Sequence, residues 1–262
     1  MNILDTIIAK KRLEVAEKKL IKSIAELESG SYFKKQALDF KHFLLNDDKT
    51  GIIAEFKRRS PSKGIINNSS TVAEVTTAYA EYGASAISIL TDEEFFGGSL
   101  HDLTIGTINE IPLLRKDFII DEYQLIESRA FGADIILLIA ACLHKTEVKK
   151  LASVAKNIGL NVLLEIHNEQ ELDHICDEVD VVGVNNRDLK TFSVDINRSV
   201  ELSKNIPTDK IKISESGIDE VATIKLLQQY GFKGFLMGEK FMKESKPAEA
   251  FKIFVEELKQ AE

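Results

Sequence analysis

A chain of 262 residues suits one large domain or two small ones, and a 44% hydrophobic content supplies a sizeable core. The net charge of −8 argues against nucleic acid or an anionic membrane as partner. Two cysteines without C-x-x-C spacing and five histidines without H-x-H or H-x-x-x-H pairs give no reason to expect a metal.

Residues 2–20 read as an amphipathic helix, with Leu4, Ile8, Leu13, Ala16 and Leu20 at helical spacings. Asp5, Lys10, Lys11, Arg12 and Glu14 break up its apolar residues, which excludes a secretory signal, and no apolar run approaches the ~20 residues of a membrane span. A cytoplasmic protein is expected, with Cys142 and Cys176 as buried reduced thiols. Ser23-Ile24-Ala25-Glu26 fits a capping box for a second short helix, and 40–45 one more apolar turn. These first 50 or so residues hold too little core to fold alone and read as a helical extension packed on the rest.

From Gly51 a rhythm sets in of short apolar run, polar loop and helical pattern. The runs fall at 52–56, 86–90, 113–116, 135–139, 162–166, 179–184, 210–214 and 234–237. Helical patterns between and after them cover 72–82, 100–108, 122–131, 145–157, 169–176, 196–204, 220–230 and 248–258. From Lys57 to Gly238 the spacing is about 26 residues per unit, the length of a βα unit. Eight parallel units with right-handed crossovers close into a (β/α)8 TIM barrel, so the expectation is an α/β chain, a single TIM-barrel domain over 1–262 with 1–50 as its extension. A doubly wound open sheet is the competing topology.

In such a barrel the chemistry gathers at the carboxyl ends of the strands. Pro112 opens the third strand, since it cannot donate to the ladder, and the run after it delivers Lys116 on the face of Leu114. By the same alternation the first strand aims Ile53, Glu55 and Lys57 inward, the fifth Leu163 and Glu165, the sixth Gly183, Asn185 and Arg187, and the seventh Ile213 and Glu215. Two lysines and three glutamates in one mouth are costly unless they pair or meet a charged ligand. Their mutual attraction keeps each ionised while burial opposes it, the tension an acid or base working near neutrality needs. The plain alternative is a salt-bridged ring that only satisfies itself. Independently, Ser216-Gly217 after the seventh strand and Gly238 after the eighth fall where TIM barrels bind phosphate. Ser60 and the basic cluster Arg58-Arg59-Lys63 in the first loop could serve the same anion. The residues thus describe a barrel that binds a small phosphorylated substrate and does proton-transfer or carbonyl chemistry, and neither dinucleotide nor P-loop fingerprint calls for a cofactor.

Six blocks resemble indole-3-glycerol-phosphate synthase: 53–64 (IAEFKRRSPSKG), 90–99 (LTDEEFFGGS), 114–118 (LRKDF), 164–167 (LEIH), 183–189 (GVNNRDL) and 214–218 (SESGI). They run through the barrel in that family's order. The resemblance implies a cofactor-free, decarboxylating and dehydrating ring closure of 1-(2-carboxyphenylamino)-1-deoxyribulose 5-phosphate. It implies Lys116 as general acid, Lys57 and Glu165 in the later steps, and Glu55, Asn185 and Glu215 as positioning groups, with Arg187 a partner of Glu215. It further implies a phosphate site at Ser60, Ser216, Gly217 and Gly238, where Glu239 follows in place of a serine found in some members. Phe96, Phe118, Leu137, Leu189 and Met237 would line an apolar slot for the aromatic ring. No metal, cofactor or macromolecular partner is expected, and a monomer or a weak homodimer is. A phosphoribosyl isomerase, a Schiff-base aldolase and a non-catalytic binding subunit are the competing readings.

Overall fold

The computed structural model describes residues 3–261; Asn2, where the first expected helix begins, lies outside them with Met1 and Glu262. Eight strands form a closed barrel: β1 Ile52–Phe56, β2 Ala86–Leu90, β3 Leu113–Lys116, β4 Ile135–Ile139, β5 Asn161–Ile166, β6 Val181–Asn185, β7 Ile211–Glu215 and β8 Phe232–Met237. All neighbours run parallel, and β8 closes on β1 through Ile52 opposite Phe235. The open sheet is therefore excluded. Such strands are covered on both faces, which is why they appear as near-continuous apolar runs.

Alternation splits each strand between two cores. Ile53, Leu114, Leu137, Leu163, Val181 and Ile213 pack inside the barrel. Ile52, Ala54, Ile87, Ile89, Val162 and Val182 face outward against the helices. Phe40 and Leu44, from the short helix Phe40–Leu44, plug the amino-terminal end of the inner core. Gly234 leaves the room for this, because a Cβ there would lie 2.5 Å from Ile213 and 2.8 Å from Leu44.

The helices follow the expected rhythm with small shifts at their ends. Side-chain caps start several of them, including Thr71 before Val72–Glu81 and an Asp121/Gln124 capping box before Glu122–Ala130. The stretch expected as a helix over 169–176 is a 3₁₀ turn over Glu169–His174. Helices Glu93–Phe96 and Glu239–Met242, and a hairpin pairing Arg59–Ser60 with Gly64–Ile65, add features too short for periodicity to reveal.

The first helix, α1 (Ile3–Ile21), departs from expectation in its rotation. Its buried face is Ile7, Lys11 and Val15, while Leu13 and Leu20 are 63% and 89% exposed. The cause is electrostatic: Lys11 is drawn inward to Asp92 and Asp117, each 2.9 Å away. Ser23 and Glu26 form the expected capping box on helix Ile24–Ser29. Cys142 and Cys176 are free, and half-buried where full burial was expected. Among the described residues no helix is long and apolar enough to cross a membrane.

Candidate active site

The carboxyl ends of the strands open into a cavity of about 1000 Å³, counting the space at its mouth. Lys116 stands at its centre. Its Nζ lies 2.7 Å from Glu165 Oε2 and 3.0 Å from Glu215 Oε2, so one ammonium from β3 bridges carboxylates from β5 and β7. Lys57, just past β1, pairs with Glu55 Oε1 at 2.8 Å, and Ser88 donates to Glu55 Oε2 at 3.4 Å. Asn185 Nδ2 donates to Glu165 Oε1 at 3.1 Å. The two lysines, three glutamates and the asparagine line this one cavity. Gly183 makes space for Glu215, since a Cβ there would lie 2.3 Å from its Oε1.

Burial sets the first-order electrostatics, and charge then reverses it for two of the three central groups. Desolvation would lower the Lys116 pKa, but Glu165, Glu215 and Glu55 more than offset it, so the amine is held as ammonium. Desolvation would raise Glu165, but Lys116 and His167 hold it well below the usual carboxylate range. Glu215 goes the other way. Burial raises it, and despite Lys116 the nearby Glu165 and Glu55 help keep it up at about 7. One ammonium thus separates a firmly ionised carboxylate from one that titrates near neutrality.

One wall of the cavity is apolar. Phe96, Phe118, Leu137 and Leu189 line it, with the Phe96 and Phe118 rings 6.2 Å apart and tilted by 39°. Met237 does not join them as expected. It alternates with Leu236, so its side chain packs outward among the helices and Leu236 takes the place in the slot. Leu90, Ile139 and Phe192, and Ile3, Leu4 and Ile7 of α1, also line the cavity and were not foreseen. Their type gave no signal, because each reads as ordinary core.

An adjoining cavity shares Glu55, Lys57, Arg187, Ser216 and Glu239 with the first and adds Lys63, Gly217 and Gly238. Ser216 and Gly217 are both left-handed, at φ 68° and 73°, which curls the backbone between β7 and the next helix. Gly238 sits tight against β1, where a Cβ would come 2.8 Å from Glu55 Cβ. Ser60 lines the first cavity from the first strand of the hairpin. Arg187 does not pair with Glu215, which Lys116 already occupies; it reaches Glu239 Oε2 at 3.3 Å. Arg58 and Arg59 line neither cavity. Arg58 is held by Asp102, and Arg59 donates to the Glu93 and Glu94 carbonyls, so both brace the loop after β2. No group of His, Cys, Asp and Glu among the described residues could hold a metal ion.

The profile of the family described as "Indole-3-glycerol phosphate synthase" matches residues 4–254. The protein named indole-3-glycerol phosphate synthase in Bacteroides thetaiotaomicron is 46% identical over 258 residues, covering 98% of this chain and 99% of that one. Its namesake in Chromobacterium violaceum is 41% identical, covering 95% and 96%. Among solved structures, the Pyrococcus furiosus tryptophan synthase complex matches with a TM-score of 0.60 at 16% identity, covering 81% of this chain and 99% of that chain. The 3-hexulose-6-phosphate synthase of Salmonella typhimurium matches with a TM-score of 0.61 at 12% identity, covering 80% and 99%. At such identities the two structures speak for the barrel alone.

Proposed function

The chain belongs to the indole-3-glycerol phosphate synthase family, and from that premise we propose that its barrel mouth closes the indole ring with Lys116 as general acid. The family is one of decarboxylating carbon–carbon lyases in tryptophan biosynthesis. The substrate is 1-(2-carboxyphenylamino)-1-deoxyribulose 5-phosphate, a small phosphorylated molecule, and the work is done in the cytoplasm without a cofactor.

The observation that carries this reading is the bridged ammonium of Lys116, fixed between Glu165 and Glu215 on rigid strand ends. An ammonium so fixed can give its proton to the ribulose carbonyl oxygen as the aromatic carbon attacks the carbonyl carbon. The carboxylate then leaves as carbon dioxide, restoring the ring electrons, and the new hydroxyl leaves as water. Lys57 and Glu165 serve these later steps: one offsets negative charge or gives the proton that departs with water, the other accepts the proton lost on forming the pyrrole double bond. Glu55, Asn185 and Glu215 orient them. Phe96, Phe118, Leu137 and Leu189 hold the anthranilate ring, and Leu236 does so in place of Met237. Ser60, Ser216, Gly217 and Gly238 surround the phosphate, with Arg187 as its cation and Glu239 holding that guanidinium from behind at 3.3 Å.

A Schiff-base aldolase would need a neutral lysine amine, and the carboxylates around Lys116 favour the ammonium instead. Mixing the purified protein with the carboxyphenylamino ribulose phosphate and following indole fluorescence tests the assignment. Rising fluorescence with release of one carbon dioxide per product supports it. A borohydride-trapped lysine adduct without indole formation would overturn it.

A further inference from the structure

His167 is a buried titratable group for which the reaction above assigns no task. It follows Glu165 by two residues at the end of β5, so alternation turns both side chains the same way. Its Nε2 lies 3.1 Å from Glu165 Oε1, an ion-pair contact out of line for a hydrogen bond, and its Nδ1 lies 3.3 Å from Glu171 Oε2, to which it is hydrogen-bonded. Glu171 is itself fixed, accepting from the His167 backbone N–H at 2.7 Å and from Asn168 Nδ2 at 2.7 Å. The ring is strung between a carboxylate in the barrel mouth and one at its rim. The mouth has a need it can meet, because the buried carboxyl groups of Glu55, Glu165 and Glu215 crowd two ammonium groups, Lys57 and Lys116, and burial with that crowding already pushes Glu215 up to about 7. An uncompensated buried carboxylate is expensive.

We propose that His167 is a positioning residue whose imidazolium clamps Glu165 through Oε1 and supplies a further cation, keeping Glu165 ionised with Oε2 on Lys116. This rests on the roles given above to Glu165 and Lys116. The groups facing the ring are Glu165 on its own strand, Glu171 from the following turn, Lys116 from β3 beyond Glu165 and, further across the mouth, Glu215 from β7. The Cys142 thiol after β4, influenced by Glu165, Glu147 and Glu171, is the neighbouring titratable group on that side; burial and these carboxylates push it up to about 12, so it stays neutral. Burial alone would lower the imidazole pKa, but Glu165 and Glu171 outweigh it and raise the ring to about 9. The clamp is therefore closed at neutral pH and is released as pH rises through about 9.

The test compares the parent with His167→Gln and His167→Asn, which carry no charge at any pH. In the parent, kcat is expected to fall on the alkaline side with an apparent pKa near 9. In both variants that limb disappears, kcat at neutral pH drops about 10- to 100-fold, and KM stays within about threefold. An alkaline limb unmoved in both variants, with kcat within about twofold of the parent, overturns the proposal. A second measurement needs no turnover: nitrogen-15 imidazole resonances of the ligand-free protein, with His167 assigned by its absence in His167→Gln. The ring is expected to titrate near 9 and to fall toward the ordinary value of about 6.5 in Glu165→Gln. Titration at or below about 6.5 in the parent overturns the clamp. A parent that forms no indole while the ring still titrates near 9 fails the reaction reading and supports the clamp.

Discussion

Lys11 of the first helix holds its Nζ 2.9 Å from Oδ1 of Asp117, the residue that follows Lys116. The same nitrogen lies 2.9 Å from Asp92 and 2.7 Å from Glu14, with Lys11 only 1% exposed. Arg115, fully buried, meets Asp117 from the other side at 3.0 Å and Glu127 at 2.9 Å. The strand end that presents Lys116 inward is thus fastened outward by a cation from the amino-terminal extension. Lys11→Met would leave Asp92 and Asp117 short of a counter-charge. Breaking a buried pair from one side is expected to destabilise by about 3–5 kcal/mol. Denaturant unfolding measures this, and an unchanged midpoint would mean that the extension contributes no such fastening.

The same cluster fixes a pH dependence. Burial would raise the Asp117 carboxyl, but Lys11 and Arg115 outweigh it and hold it well below the usual range. A depressed carboxylate stabilises the fold above its unfolded value of about 3.9, and that stability is lost as pH falls toward the folded value. Acid unfolding of the parent is therefore expected below about pH 4, with the midpoint moving to higher pH in Lys11→Met. Circular dichroism across an acid titration reads the shift, and coincident curves would refute it.

Replacing Lys116 removes the proposed proton donor without touching the phosphate end. Lys116→Met is expected to lower kcat by about 10²- to 10⁴-fold, the range for a positioned acid, while inorganic phosphate still competes for the site. Steady-state kinetics with phosphate as inhibitor reads both effects. Turnover within about tenfold of the parent would remove Lys116 from the role.

The strands were legible because a strand buried on both faces writes an unbroken apolar run, and five-residue runs such as 52–56 and 135–139 coincide with β1 and β4. Their inward carboxylates and lysines followed from alternation alone. What escaped depended on partners distant in sequence. Lys11 reads as a solvated helix residue until Asp92 and Asp117 are brought beside it. For Arg187 the resemblance implied Glu215 as partner, but the carboxylate it meets, Glu239, lies 52 residues away. Met237 failed for a simpler reason: with Gly238 inward against Glu55, the residue before it must face out.

Glu215 should reveal itself through stability. Its carboxyl is raised to about 7, chiefly by burial, against about 4.3 in an unfolded chain. A raised carboxylate favours the protonated form in the folded state, so the penalty for ionising it grows as pH climbs from about 4.3 to about 7 and then stays constant. Glu215→Gln resembles the protonated form. It is expected to gain stability over the parent at pH 8 more than at pH 5, while losing activity at both. Calorimetric midpoints at the two pH values test this, and an equal difference at both would contradict the raised pKa.

Gly183 offers a subtler way to disturb the same carboxylate. A Cβ there would come 2.3 Å from Glu215 Oε1 and 3.3 Å from Leu163 Cδ1. The first contact is resolved by moving the end of a side chain, and the second by a small shift of a methyl group. Gly183→Ala should therefore cost the fold little while pushing Glu215 off Lys116, whose 3.0 Å contact to Glu215 leaves little slack. Reduced kcat with a near-parental unfolding midpoint is the expected pair of results. A parental kcat would mean that Glu215 can reach Lys116 from another rotamer, and that the glycine serves the barrel wall alone.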